Sequence, residues 1–307
     1  MSKLFIVGNG FDQAHKLPTS YQNFHNFLQN EYPDAEEENA LVPSCSIGHH
    51  GDAIHDDNEV VGYLMNLFSR TEGPYWSDLE RTLGQLDFDD DFRYLPEVHD
   101  RDGDRNLFHE SYNNEDQAST LAGCVPMISR FFADWFKTIE ISSAKINPKF
   151  RSLIAPDTDH FLTFNYTRTL ETLYGAKNVC HIHGVKGQPL IFGHGAGYLF
   201  DEDHWSAYIG CEDDLEKIQS ALRKDTAKAI NLHQAFFRNL HTGVTDIYSC
   251  GFSFGEVDCV YLKEIFKNMD TKSVVWYLHN YDSKKHDKQK KTLIEFGFCG
   301  FFSVYDT

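Results

Sequence analysis

The chain has 307 residues, with 46 acidic against 28 basic side chains and a formal net charge of −18. That balance argues against a broad contact with DNA or RNA, which relies on clustered Lys and Arg, so no nucleic-acid partner is expected. Hydrophobic residues at 41 % suffice for a sizeable core, and the seven cysteines, odd in number and without a C-x-x-C pair, read as reduced thiols of a cytoplasmic protein.

In chain order, the apolar run at 3–8 (KLFIVG) is too short for a secretion signal or a membrane span and reads as a buried β-strand. It runs into Gly8-Asn9-Gly10, a turn that lets backbone approach a phosphate, although Gln13 breaks the full G-x-G-x-x-G fingerprint. Asp12 suits either ribose hydroxyls or a helix cap. Helical spacing follows at 18–32, 60–68, 76–86 and 118–141. The stretch 34–59 has eight acids and no Lys or Arg, and 88–117 has ten acids and three Arg; both read as solvated loops. His49, His50, Asp52, His55 and Asp56 fall in the first of these, where an unspecific loop is favoured over a metal site.

Strand patterns return at 160–165, 178–182, 189–192, 245–250, 273–278 and 298–305. Helical patterns at 167–174, 212–241, 256–269 and 284–296 separate several of them. Strands alternating with helices predict an α/β, Rossmann-like three-layer domain with a mostly parallel sheet. The long gap after the first strand predicts a large helical, acidic-loop insertion at about 20–155 in a single domain spanning 1–307.

In open α/β sheets ligands bind at the carboxyl ends of strands. Gly8, Gly10, Asn165 and His183 all fall at such ends, which makes them, with Asn9 and Asp12 beside the glycines, the candidate site. His181 and His183 form an H-x-H pair without an evident third metal ligand, so no metal is expected. Phe192–Gly197 is glycine-dense and reads as a turn or a lid. The run Gly251–Gly255 fits G-x-S-x-G, which keeps open a serine hydrolase using Ser253. Ser253 and Glu256, between strand and helix, are also candidates for contacting the adenosine end of a nucleotide.

The segment Thr163-Phe164-Asn165-Tyr166-Thr167, then a short helix and a strand ending in His183-Gly184, resembles the sirtuin pattern T-Q-N-I-D … H-G. Blocks along nearly the whole chain resemble the bacterial abortive-infection AbiH family, itself sirtuin-like. They are GNGFD at 8–12, LPTSY at 17–21, W-x-x-L-E at 76–80, FNYT at 164–167, HIHG at 181–184, FGHG at 192–195, KDTAKAI at 224–230 and GFSFGEVD at 251–258. The glycine turn differs from the sirtuin G-A-G-x-S, Phe164 stands where sirtuins have Gln, and the zinc ribbon is missing. The resemblance therefore implies simple NAD hydrolysis in antiphage defence rather than protein deacetylation, with NAD as substrate. It assigns His183 as base and Asn165 as orienter of water or ribose, with Gly8, Asn9 and Gly10 on phosphate and Asp12 on ribose. Such an enzyme needs restraint from self-assembly or from an activating partner or phage trigger, with the two acidic stretches as candidate elements. Besides the hydrolase, a nucleotide-binding sensor without chemistry is the competing reading.

Overall fold

The computed structural model describes residues 2–38, 40–49, 53–72, 76, 78–93, 95–195, 209–240 and 243–307. The chain forms two compact units, one from residues 1–20, 136–191 and 225–307, the other from 21–135 and 192–224.

The first unit holds a six-stranded sheet. Its strands are β1 (Ser2–Val7), β2 (His160–Thr163), β3 (Asn178–His181), β4 (Val244–Cys250), β5 (Val275–His279) and β6 (Phe301–Tyr305). The order across the sheet is β3-β2-β1-β4-β5-β6, and every neighbouring pair is parallel. This is the strand order of doubly wound dinucleotide-binding folds, with its reversal of direction between β1 and β4. The α/β, Rossmann-like architecture read from the sequence is therefore the observed one. Leu4, Phe5, Ile6 and Val7 are fully buried because helices cover both faces of β1, which is why this strand reads as a continuous apolar run rather than an alternating one. On one face Leu4, Ile6, Leu162 and Trp276 pack with Phe237, Leu262, Ile265 and Leu293 of the helices. On the other, Phe5 stacks between Phe161 and Tyr248, with Phe150 edge-on.

The second unit is helical, including Tyr21–Glu31, Asp57–Glu72, Leu79–Leu83, Asp89–Arg93, Leu107–Cys124 and Glu212–Ala221. Phe24 packs its ring against Trp76, Phe132 and Trp135, and Phe132 stacks on Phe192 at 3.9 Å. Most of the segment expected as an insertion lies here; residues 136–155 belong to the sheet unit, where helix Pro148–Leu153 carries Phe150 onto the sheet. Among the described residues no helix is long and apolar enough to cross a membrane.

Several local expectations are corrected. Residues 189–192 form no strand: the chain turns at 185–188, and Ile191 makes single bonds to the His183 carbonyl and the Tyr166 hydroxyl. A short apolar run without a neighbouring strand to complete a ladder stays a loop. The stretch 88–117 is not all loop, since it contains helix Asp89–Arg93 and the start of Leu107–Cys124, capped by Asn106. Ala118, Leu121 and Cys124, which anchor that helix in the core, lie beyond the acidic stretch, so the helix extends back from the segment read as helical at 118–141 into residues that composition alone assigned to loop. The helix expected from 256 begins at Cys259, and the helical pattern over 212–241, which allowed one or two helices, is three short ones, Glu212–Ala221, Thr226–Leu232 and Gln234–Asn239.

Candidate active site

The sheet register brings the candidate residues to one edge. Val7 pairs with Thr163 and Cys250, and Thr163 pairs with His181. The residues that follow, Gly8–Gly10, Asn165, His183 and Gly251–Ser253, therefore leave the same carboxyl end of four adjacent strands. All lie in the sheet unit.

The glycine turn does something other than expected. A Cβ on Gly8 would lie 2.6 Å from the Gly251 carbonyl oxygen, one on Gly10 would lie 2.9 Å from Gly251 Cα, and one on Gly251 would lie 2.2 Å from Phe11 N. The turns after β1 and β4 thus touch backbone to backbone. Gly8 N–H donates to Cys250 O and Gly10 N–H to Gly251 O, each at 3.0 Å, and Phe11 N–H donates to Gly8 O at 2.9 Å. These donors, read from sequence as a phosphate cradle, are engaged inside the protein: Gly8 and Gly10 on carbonyls of the turn after β4, and Phe11 on a carbonyl of its own turn. The helix that follows, Asn9–Ala14, is a single short one. The Asn9 side-chain amide donates to Thr19 O at 2.6 Å and ties down the Leu17–Thr19 turn.

Asp12 and Asn165 lie in a buried polar cluster. Asp12 is 1 % exposed, and its Oδ2 accepts from the Thr167 hydroxyl at 2.5 Å, which is 2.9 Å from the Thr169 hydroxyl. Its Oδ1 and the Asn165 Oδ1 are buried acceptors without a hydrogen-bond partner among the described residues. Burial pushes the Asp12 carboxyl above its usual range; hydrogen bonds from Thr167, Thr169 and Asn165, and the nearby His15, offset part of this. The folded state then holds the Asp12 proton more tightly than the unfolded chain, so this group lowers stability as pH rises from about 3.8 through its folded pKa. Asp12→Asn cannot ionise. Its unfolding free energy relative to wild type is expected to grow over that window and then level off. Urea titrations at a series of pH values check this, and a difference independent of pH would refute it.

His183 is 2 % exposed. Its Nε2 lies 3.2 Å from the Tyr261 hydroxyl and 3.5 Å from Asp258 Oδ1. The rings of Phe164 and Tyr261 pack against it in T-shaped geometry, with centroids 5.4 Å away. An imidazole flanked by a carboxylate and a phenol in an apolar shell is equipped to take up and return a proton. Cys180, Cys250 and Cys259, from the same elements, are buried with thiols pushed up to about 12, so none supplies a thiolate at neutral pH.

The remaining candidates are less engaged. Ser253 is exposed, and its Oγ lies 3.6 Å from where a Gly255 Cβ would be. No described histidine is hydrogen-bonded to it. His279 and His286 bond to Thr307 and to the His279 carbonyl, and the helix starts only at Cys259, so the tight strand-to-helix elbow of a serine hydrolase is not formed. Glu256 is exposed in the turn before that helix. His194 is buried in the helical unit, bonded to Gln219 O; residues 196–197 lie outside the described residues. So do His50 and Asp52, whereas Asp56 caps the N–H groups of Asn58 and Glu59, and His55 bonds to Ser44 O.

Sequence reasoning missed Tyr261, Thr167 and Thr169, and it singled out Asp258 only as part of the block at 251–258. Asp258 and Tyr261 are three apart at a helix start, a spacing that shares one face and was the available signal. A protein-family model, bacteriophage abortive infection AbiH, matches residues 4–280. No curated protein and no solved structure matches the chain.

Proposed function

This chain belongs to the bacteriophage abortive-infection AbiH family, and from that premise we propose that it serves abortive infection by hydrolysing the nicotinamide–ribose bond of NAD. The observation that carries the proposal is that the carboxyl edge of the sheet, where the strand order reverses between β1 and β4, holds two buried acceptors without a hydrogen-bond partner among the described residues, Asp12 Oδ1 and Asn165 Oδ1, and that a carboxylate-paired histidine, His183, leaves the same edge after β3. Doubly wound sheets bind dinucleotides at that crevice. Unpartnered buried acceptors are costly, and ribose hydroxyls are donors that would satisfy them. Fold alone does not fix function, so the weight rests on these side chains.

In the proposed reaction the C–N bond to nicotinamide breaks through an oxocarbenium-like state, and water adds to the ribose carbon. NAD and water give nicotinamide, ADP-ribose and a proton. His183 takes the proton from the attacking water, and Asp258 stabilises the imidazolium that forms. Asn165 and Asp12 orient the ribose through its hydroxyls. With the Gly8 and Gly10 donors already engaged, pyrophosphate recognition falls to other groups. Metal ions have no part in this scheme, so chelators are expected to leave cleavage intact.

The test is incubation of the purified protein with NAD, alone and with lysate from phage-infected cells, followed by detection of nicotinamide. Lysate is included because an unrestrained NADase would poison its host, and the pure protein is expected to be slow. Absence of release above a lysate-only control in both arms would overturn the assignment. One observation favours a second reading, a nucleotide-binding sensor: His183 is almost wholly enclosed. Binding of NAD without nicotinamide release would decide for the sensor.

A further inference from the structure

The mechanism above leaves out the other histidine of the HIHG segment. His181 ends β3 and is a tenth exposed at its side chain. Its Nδ1 lies 3.0 Å from the main-chain oxygen of Asn165, and its Nε2 lies 2.9 Å from Glu171 Oε1. Glu171 belongs to the short helix Thr169–Tyr174 between β2 and β3.

Both partners are acceptors. A peptide carbonyl cannot donate, and a carboxylate donates only when protonated. Burial raises the Glu171 carboxyl, but the hydrogen bond and charge of His181, with the charge of Arg168, outweigh it and hold the group below its usual range. Glu171 is therefore ionised at neutral pH. A ring nitrogen that faces an acceptor at hydrogen-bond distance must carry a hydrogen, so the geometry asks for protons on both nitrogens. The charged groups facing this pair are Arg168, 3.9 Å from Glu171 Oε1, and His233, which burial and then the His181 charge shift toward the neutral form.

We propose that His181 is a positioning residue for the site: a doubly protonated clamp, held by Glu171, that fixes the main-chain carbonyl of Asn165 and so aims the Asn165 side chain. The link to catalysis rests on the NAD-cleavage reading; the protonation state and the clamp do not. Residues 164–168 leave β2 without regular structure, so no strand ladder fixes the Asn165 peptide groups. Side chains do so instead. The Asn165 N–H donates to Thr163 Oγ1 at 3.1 Å, and its C=O accepts from His181. Charge-assisted bonds are roughly twice as strong as neutral ones, which suits a carbonyl held in a loop.

The experiment uses the full chain labelled with 15N-histidine. The His181 ring signals are identified by their loss in His181→Asn. At pH 7 both ring nitrogens of His181 are expected to show directly bonded protons. In Glu171→Gln the Nε2 proton is expected to be lost while Nδ1–H remains, because a glutamine amide can donate to Nε2. For turnover, His181→Leu is expected to lower kcat about 10- to 100-fold with little change in KM, since small misplacements of a catalytic group cost about that much. His181→Asn, whose amide can replace Nδ1–H toward the Asn165 carbonyl, is expected to recover most of the loss. An unprotonated His181 nitrogen at pH 7 in the wild type would overturn the clamp. Both nitrogens protonated, but kcat unchanged in folded His181→Leu, would overturn the positioning role. If the wild type cleaves no NAD under any condition, the proposed function fails, and the ring signals still decide the clamp.

Discussion

Replacing His183 with alanine is expected to lower NAD cleavage by about 10²–10⁴-fold, the usual cost of losing a general base. The ring is enclosed by Phe164 and Tyr261, so the substitution also leaves a cavity and some loss of stability must be separated from loss of chemistry. Two shape-preserving variants do this. Asp258→Asn keeps the volume next to Nε2 but removes the negative charge that favours the imidazolium, and a smaller drop in kcat is expected. Tyr261→Phe keeps the ring contact and removes only the hydroxyl 3.2 Å from Nε2, so its main effect is expected on the pH profile. Ser253→Ala, in an exposed loop, serves as the control and is expected to keep wild-type turnover. Circular dichroism and urea unfolding establish that each variant is folded. A folded His183→Ala with wild-type turnover would remove His183 from the mechanism, and loss of activity in Ser253→Ala alone would move the chemistry to the serine.

Gly251→Ala is expected to be the most damaging single methyl in the sheet unit. Gly251 has φ +61, a left-handed conformation that costs an L-residue about 1–2 kcal/mol. The larger effect is steric. The added Cβ would lie 2.2 Å from Phe11 N and 2.5 Å from Gly10 C, both backbone atoms. Neither side can withdraw easily, because Gly8 N–H and Gly10 N–H tie the two turns together and β1 pairs with β4 along its whole length. Strain and lost backbone hydrogen bonds together are expected to cost at least about 3–5 kcal/mol, against a typical total stability of about 5–15 kcal/mol. The variant should be recovered poorly, or unfold at a much lower urea concentration than wild type. Gly103→Ala provides the comparison, since φ is +86 there but no atom lies within 4 Å of the added methyl. About 1 kcal/mol is expected from the backbone conformation alone. Equal urea midpoints for Gly251→Ala and wild type would show that the turns are not packed as described.

The sequence by itself determined the class of the sheet unit. Leu4–Val7 is apolar at every position because both sides of a central parallel strand are covered, and that pattern needs no knowledge of partners. The helix after β2 was legible as the pattern at 167–174, and Gly175 just past its end has the left-handed φ of +68 that a helix stop uses. Asn165 and His183 were legible as strand-end residues because each follows a short apolar run directly. These are local signals, and local periodicity is what a single sequence records.

What only the tertiary structure decided is non-local. The order β3-β2-β1-β4-β5-β6 sets which turns meet, and it alone reveals that Gly8 and Gly10 pack backbone to backbone against Gly251. Tyr261 reaches His183 across 78 positions of sequence, and Thr167 reaches Asp12 across 155. The glycine-dense run from Phe192 read as a turn or lid following a strand, yet residues 192–195 belong to the helical unit. A contact between distant residues depends on how the strands are ordered and registered. No property of either residue's neighbours encodes it, because the same strand and turn patterns are compatible with several sheet orders until side chains pack and hydrogen bonds close in one of them.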